Sequence, residues 1–112
     1  MKKIEAIIRP EKVDEVRRAL EKVGFPGLHI GEVEGHGKQK GVVQQWRGEQ
    51  YRVELLSKVK LEIVANDKDA SKIVQAIQDA AKTGGVGDGK IFISPVEEVI
   101  RIRTGERGDS AL

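Results

Sequence analysis

Thr83-Gly84-Gly85-Val86-Gly87-Asp88-Gly89-Lys90-Ile91 is the stretch whose residue types could do chemistry. Four glycines fall in six positions, and a lysine follows the last of them. Glycines let successive backbone N–H groups turn into one concavity and leave room for a bulky anion. A terminal lysine adds a point charge. The chemistry suggested is phosphate binding. Gly84-x-x-x-x-Gly89-Lys90 satisfies most of the Walker A pattern, but that pattern needs Ser or Thr next, and Ile91 stands there. A P-loop also runs from strand to helix, whereas this loop leaves a helical pattern and enters a strand-like one. A P-loop NTPase is therefore rejected. Two readings stay open: a phosphate cradle of another kind, or a helix C-cap at Gly84 followed by a tight turn.

The other candidate cations are spread along the chain: Arg9, Lys38, Lys40, Arg47, Lys58, Arg101 and Arg103. Arg101 and Arg103 alternate with Ile100 and Ile102, so a strand over 99–103 puts both arginines on one face. One polyphosphate gripped by loop amides, Lys90 and that pair is one reading; a solvated pair on an edge strand is the other. Lys58 reads by spacing as a surface lysine at a strand mouth. Gln39 has an amide oxygen that could reach Mg²⁺ but sits in a polar loop. His29 and His36 have no metal-pair spacing. Asp88 has no second acid, serine or histidine placed to assist it, so it reads as capping the turn through its side chain. No catalytic constellation is visible, and an enzyme is not expected.

These residues must be positioned by 112 residues, enough for one domain with one modest core. Charged residues make up 34% and aromatics 4%, so the core must come from Ile, Val, Leu and Ala. A net charge of +2 does not argue for nucleic acid, and the absence of cysteine excludes a disulfide framework or a thiol site. No segment reads as a signal peptide or a membrane span, so a cytoplasmic protein is expected.

Lys2 to Arg9 alternates as a strand, and Pro10 can open a helix carrying Val13, Val16, Ala19, Leu20 and Val23. Residues 28–34 read as a second strand with Leu28 and Ile30 on one face, which Gly31 could interrupt with a bulge. From Gly35 to about Glu54 the pattern dissolves into a long loop holding Trp46 and Tyr51. Val59, Leu61, Ile63 and Ala65 form the cleanest alternation. Asn66 or Asp67 can cap the next helix, whose stripe is Ala70, Ile73, Val74, Ile77, Ala80 and Ala81. Residues 91–96 form a strand with Pro95 at an edge, 99–103 a short last strand, and 104–112 a mobile tail. The order predicts an α+β, ferredoxin-like βαββαβ sandwich with a short extra C-terminal strand. Its helix-free sheet face, carrying Ile7, is expected to be apolar and to be covered by oligomerisation.

The sequence resembles the PII nitrogen-signalling family over nearly its whole length. The residues that carry this are Met1-Lys2-Lys3-Ile4-Glu5-Ala6-Ile7-Ile8-Arg9-Pro10, Gly35-His36-Gly37-Lys38-Gln39-Lys40-Gly41, the glycine stretch with Phe92, and Val99-Ile100-Arg101-Ile102-Arg103-Thr104-Gly105-Glu106. The resemblance implies a single domain over 1–112, with a T-loop at about 37–55, a B-loop at about 82–90 and a C-terminal loop at about 102–112. It implies a homotrimer with nucleotide sites between subunits where ATP and ADP compete. Ile7, His29, Gly35, Gly37, Lys38, Val64, Gly87, Asp88, Gly89, Lys90, Arg101 and Arg103 would line those sites. Gln39 would coordinate Mg²⁺ held by ATP and 2-oxoglutarate; Lys58 would pair with a 2-oxoglutarate carboxylate, with Arg9 and Gly41 close by. Tyr51 matches the family's modified tyrosine. Trp46, Glu49 and Gln50 depart from the usual surroundings of that tyrosine, and His29 stands where a threonine is common. The expected partner is an ammonium transporter or a nitrogen-metabolism enzyme or regulator, met through the T-loop. The alternatives are a sensor of a different small effector on the same scaffold, or an RNA-binding ferredoxin-like module. The last needs sheet-face aromatics, of which the chain has few.

Overall fold

Ile4, Ala6, Ile8, Leu61, Ile63 and Ala65 are all buried, and their alternation is what turns two segments into the central pair of a sheet. The computed structural model describes residues 1–35 and 56–112, together with the backbone of two short strands between them. We number the elements β1 (Lys2–Ile8), α1 (Val13–Val23), β2 (His29–Gly35), β3 (Val43–Trp46), β4 (Glu49–Arg52), β5 (Leu56–Ala65), α2 (Asp67–Ala81) and β6 (Lys90–Pro95). The main sheet has the antiparallel order β2-β5-β1-β6. Val16 and Leu20 of α1 and Ile73 and Ile77 of α2 are buried with the inward residues of β1 and β5, so both helices share one core. This is the expected α+β, ferredoxin-like arrangement.

Local chemistry explains the boundaries. Pro10 opens a 3₁₀ turn over Pro10–Lys12 rather than the α-helix itself, which begins at Val13. Asn66 caps α2, its side chain accepting from the Asp69 N–H at 2.9 Å. Pro95 lies at the end of β6, an edge strand, where no ladder hydrogen bond is lost.

Several expectations are corrected. The backbones of β3 and β4 pair antiparallel, where the sequence predicts an irregular loop; the two segments are short and largely polar, and their alternation is weak. Gly31 makes no bulge, since the register from His29↔Glu62 to Gly35↔Leu56 is continuous. Ile30 stays half-exposed because β2 is the other edge strand. The predicted strand over 99–103 reduces to one isolated bridge, Ile100 with Arg107. Local hydrogen bonds fold the segment back on itself: Gly105 N–H donates to the Arg101 carbonyl at 2.8 Å, and Gly108 N–H to that of Val99 at 3.0 Å. The expected mobile tail therefore ends in an ordered 3₁₀ turn, Gly108–Ala111, with Ala111 buried.

The helix-free sheet face is also not the apolar surface expected. Ile7 and Val64 are only half-buried there, interleaved with the ion pairs Lys3–Glu62 (2.8 Å) and Lys60–Glu5 (2.7 Å). Strict alternation explains this, because the positions between the buried ones on β1 and β5 are mainly charged.

If Ile73 joins the helices to the sheet, Ile73→Ala should lower unfolding stability by about 2–5 kcal/mol, measured by denaturant titration.

Candidate functional site

The glycine loop takes its shape from one carboxylate. Asp88 Oδ2 accepts the N–H groups of Thr83 (2.8 Å) and Gly84 (2.9 Å), while Oδ1 accepts the Thr83 hydroxyl and Arg9 Nε, the latter at 3.1 Å. The Thr83 hydroxyl oxygen in turn accepts the Gly85 N–H at 3.1 Å. The Asp88 carboxyl is accordingly held well below the usual carboxylate range. The Thr83 hydroxyl is the largest cause, with the Thr83 and Gly84 N–H groups and Arg9 adding to it. Asp88 thus caps the turn, as its sequence context suggests. The helix cap falls elsewhere than predicted: Lys82 N–H bonds Gln78 O, and Gly84 serves the loop instead.

Two cations hold the loop from outside. Arg9 Nη2 donates to the Val86 carbonyl at 2.8 Å, and Lys58 Nζ to the Gly87 carbonyl at 2.8 Å. Burial lowers the Lys58 pKa, and the nearby Arg9 charge lowers it further. Gly89, at φ +97°, presses on β1 so closely that an added Cβ would lie 1.7 Å from the Ile7 carbonyl oxygen. Only glycine passes there.

The N–H groups of Thr83, Gly84 and Gly85 are thus consumed within the loop, whereas those of Val86 and Gly87 have no acceptor among the described residues and that of Asp88 has only a loose turn contact back to the Gly85 carbonyl. A short run of such weakly engaged amides with a lysine two residues on can receive an anion. A cleft of about 450 Å³ opens beside it, lined by Ile7, Asp88, Gly89 and Lys90 with Ile77 and Ala81 of α2.

The fold brings Ile7, Arg9, Lys58, Gly87, Asp88, Gly89 and Lys90 to one end of the sheet, Ile7 pairing with Lys90. Gly35, opposite Leu56, lies at that same end. His29, opposite Glu62, and Val64, opposite Lys3, lie further along the sheet. Arg101 and Arg103 do not join the set. The chain leaves β6 at its far end, where Val96 N–H bonds the Met1 carbonyl. Arg101 then bonds Glu106 (3.1 Å) and the carbonyls of Ser110 (3.5 Å) and Leu112 (3.3 Å). Among the described residues no hydrogen bond or ion pair links either arginine to the glycine loop of its own chain. The single polyphosphate grip suggested by spacing is not assembled within one chain. Gly37, Lys38, Gln39, Gly41 and the side chains of Tyr51 and Trp46 lie outside the described residues, as do His36, Lys40 and Arg47.

The spacing of the sequence assigned no role to Thr83 and no loop contact to Arg9. A hydroxyl five residues before the loop's only acid is the signal for the first. For Arg9 there is no local signal, because its partners are 77 and 79 residues away.

The fold is an α+β ferredoxin-like module whose glycine loop, at one end of the sheet, is a candidate anion site. The model of the family described as nitrogen regulatory protein P-II matches residues 1–106. The chain is 54% identical over 112 residues to a nitrogen regulatory protein P-II of Azospirillum brasilense and 55% to that of Rhizobium meliloti (strain 1021), each covered along its full length. It is also 54% identical over 112 residues to nitrogen regulatory protein P-II 2 of Methanothermobacter thermautotrophicus, covering all of this chain and 97% of that one. The chain belongs to the P-II nitrogen regulatory family, whose members are signalling regulators rather than enzymes.

A lowered Asp88 pKa has a measurable sign. The loop bonds made by the ionised carboxylate should persist as pH falls through the ordinary value of 3.8 and be lost only well below it. Carbon NMR of the Asp88 carboxyl should show no titration at 3.8; a midpoint there would contradict the four-donor geometry.

Proposed function

We propose that this P-II protein is a sensor of ATP, ADP and 2-oxoglutarate that controls a target protein through residues 37–55. What supports this most is the run of amides at 86–88 that make no regular hydrogen bond among the described residues, with Lys90 just beyond them and Arg9 and Lys58 holding the loop's carbonyls. Those amides with Gly89 and Lys90 would hold the phosphates, and Ile7, His29, Gly35, Gly37, Lys38 and Val64 the rest of the nucleotide. Arg101 and Arg103 would come from a neighbouring copy in a homotrimer, which accords with their separation from the loop in one chain. Ile102, 99% exposed in the same turn, accords with a segment completed by another copy.

Mg²⁺ bound with ATP would supply open coordination positions for a chelating dianion. Gln39 would ligate the metal, Lys58 would pair with a 2-oxoglutarate carboxylate, and Arg9 and Gly41 would lie close. Lys58 suits this role physically: its ammonium is part-buried beside another cation, so an incoming carboxylate relieves both effects that lower its pKa. Because Gln39 belongs to the segment 37–55, ligation biases that segment's state, and unequal affinity for two states is all a sensor requires. The target would be an ammonium transporter or a nitrogen-metabolism enzyme or regulator in the cytoplasm, and Tyr51 would be a modification site on the same segment. No described helix is long and apolar enough to cross a membrane.

Calorimetry tests the coupling. 2-Oxoglutarate should bind with Mg²⁺ and ATP present and release no heat when either is withheld. Lys90→Ala should weaken ATP about tenfold or more. Undiminished 2-oxoglutarate binding without nucleotide would contradict the coupled site.

A further inference from the structure

The glycine loop has two chemically opposite sides. The Val86 carbonyl points at Arg9 and the Gly87 carbonyl at Lys58. These two cations are near neighbours, since the charge of Arg9 helps to lower the Lys58 pKa. No peptide bond described is cis. In a trans, planar peptide the C=O and the following N–H point in opposite directions. Fixing the Val86 carbonyl toward Arg9 therefore turns the Gly87 N–H away from it, and fixing the Gly87 carbonyl toward Lys58 turns the Asp88 N–H away likewise. The positive φ of Gly87, +105°, permits this reversal.

Arg9 does more than orient one peptide. Its Nε also holds Asp88 Oδ1, whose carboxylate closes the loop onto Thr83 and Gly84. The fork spans both ends of the amide run at once, with 17% of the Arg9 side chain and 24% of that of Asp88 exposed. A lysine, which offers a point charge without a fixed fork, cannot hold both partners in the same way.

We infer that Arg9 is a positioning residue for the phosphate seat: it aims the amides of Gly87 and Asp88 by gripping the Val86 carbonyl and the Asp88 carboxylate from behind, without itself touching the phosphates. The inference rests on the nucleotide reading above for the identity of the anion, but not for the state of the loop. It assigns the phosphates to the amides at 86–88 and leaves those at 83–85 structural. The loop then presents its amide side to the nucleotide phosphates, while Arg9 and Lys58 hold its carbonyls.

The test has two arms on the full chain. In the first, without nucleotide, Arg9→Gln and Arg9→Lys should each speed hydrogen exchange of the Thr83 and Gly84 amides about tenfold while leaving that of Ile63 in β5 unchanged. Unchanged exchange in the loop overturns the inference, as does acceleration throughout the sheet, which marks a general loss of stability. In the second, titration with ATP and Mg²⁺ should show Arg9→Gln and Arg9→Lys weakening binding alike, by about tenfold. In an Asp88→Asn background Arg9→Gln should add less than about twofold, because both residues act through one loop geometry. Losses that multiply, or full affinity in Arg9→Lys, would mean that Arg9 acts on the phosphates by its charge, and would overturn the inference. A wild-type chain that binds no ATP removes the sensor reading, while the exchange arm still decides whether Arg9 sets the loop.

Discussion

One carboxylate organises the working end of this molecule. Asp88 receives two main-chain N–H groups, a hydroxyl and a guanidinium, the first three from the loop itself and the last from Arg9, just past β1. A loop with four glycines has high conformational entropy to lose. Charge-assisted hydrogen bonds converging on one acceptor give it a single closed shape. The depressed pKa of that carboxyl is the electrostatic record of the same arrangement. Everything else at this end follows from it: where Gly89 meets β1, which amides remain unpaired, and where Lys90 enters β6.

The core supplies the other constraint. β1 and β5 are held by inward Ile, Leu and Ala residues under α1 and α2, so Arg9, just past β1, and Lys58, within β5, are carried to the same edge of the loop. The sheet also keeps its two ends apart. β6 runs from Lys90 to Pro95, and the chain then departs beside Met1, with Arg101 tied to its own C-terminal turn. The cations that resemblance assigns to one phosphate group thus divide between the glycine loop and the C-terminal segment, with Arg101 bonded within that segment. This division is what a site completed by a second copy would require.

Much of the fold was legible in sequence because its determinants are periodic. Ile4, Ala6 and Ile8 on one strand, Val59 to Ala65 on another, and the stripe of α2 all recur at the spacing their elements demand. The glycine loop was legible as a turn with anion chemistry, and Asp88 as its cap, because those signals are local. The C-terminal segment misled because Ile100 and Ile102 alternate with arginines as strand residues do, yet no strand among the described residues offers it a ladder, and local hydrogen bonds close a turn instead. The pairing of β3 with β4 was not legible because four-residue, largely polar segments carry little period-2 signal. Lys58 is the plainest case of a role beyond spacing. Alternation alone marks it as surface, and only the sheet register, the loop carbonyl beside it and the family resemblance distinguish it from any other lysine.

The most direct measurement of the divided site is a mixing experiment. Lys90→Ala and Arg101→Ala chains, each weak for ATP alone, are unfolded together, refolded in equal amounts and titrated with ATP and Mg²⁺. The account predicts that the mixture recovers a fraction of sites with wild-type affinity, because some interfaces pair an intact Lys90 from one copy with an intact Arg101 from the next. A mixture that binds no better than the average of its two components would contradict it.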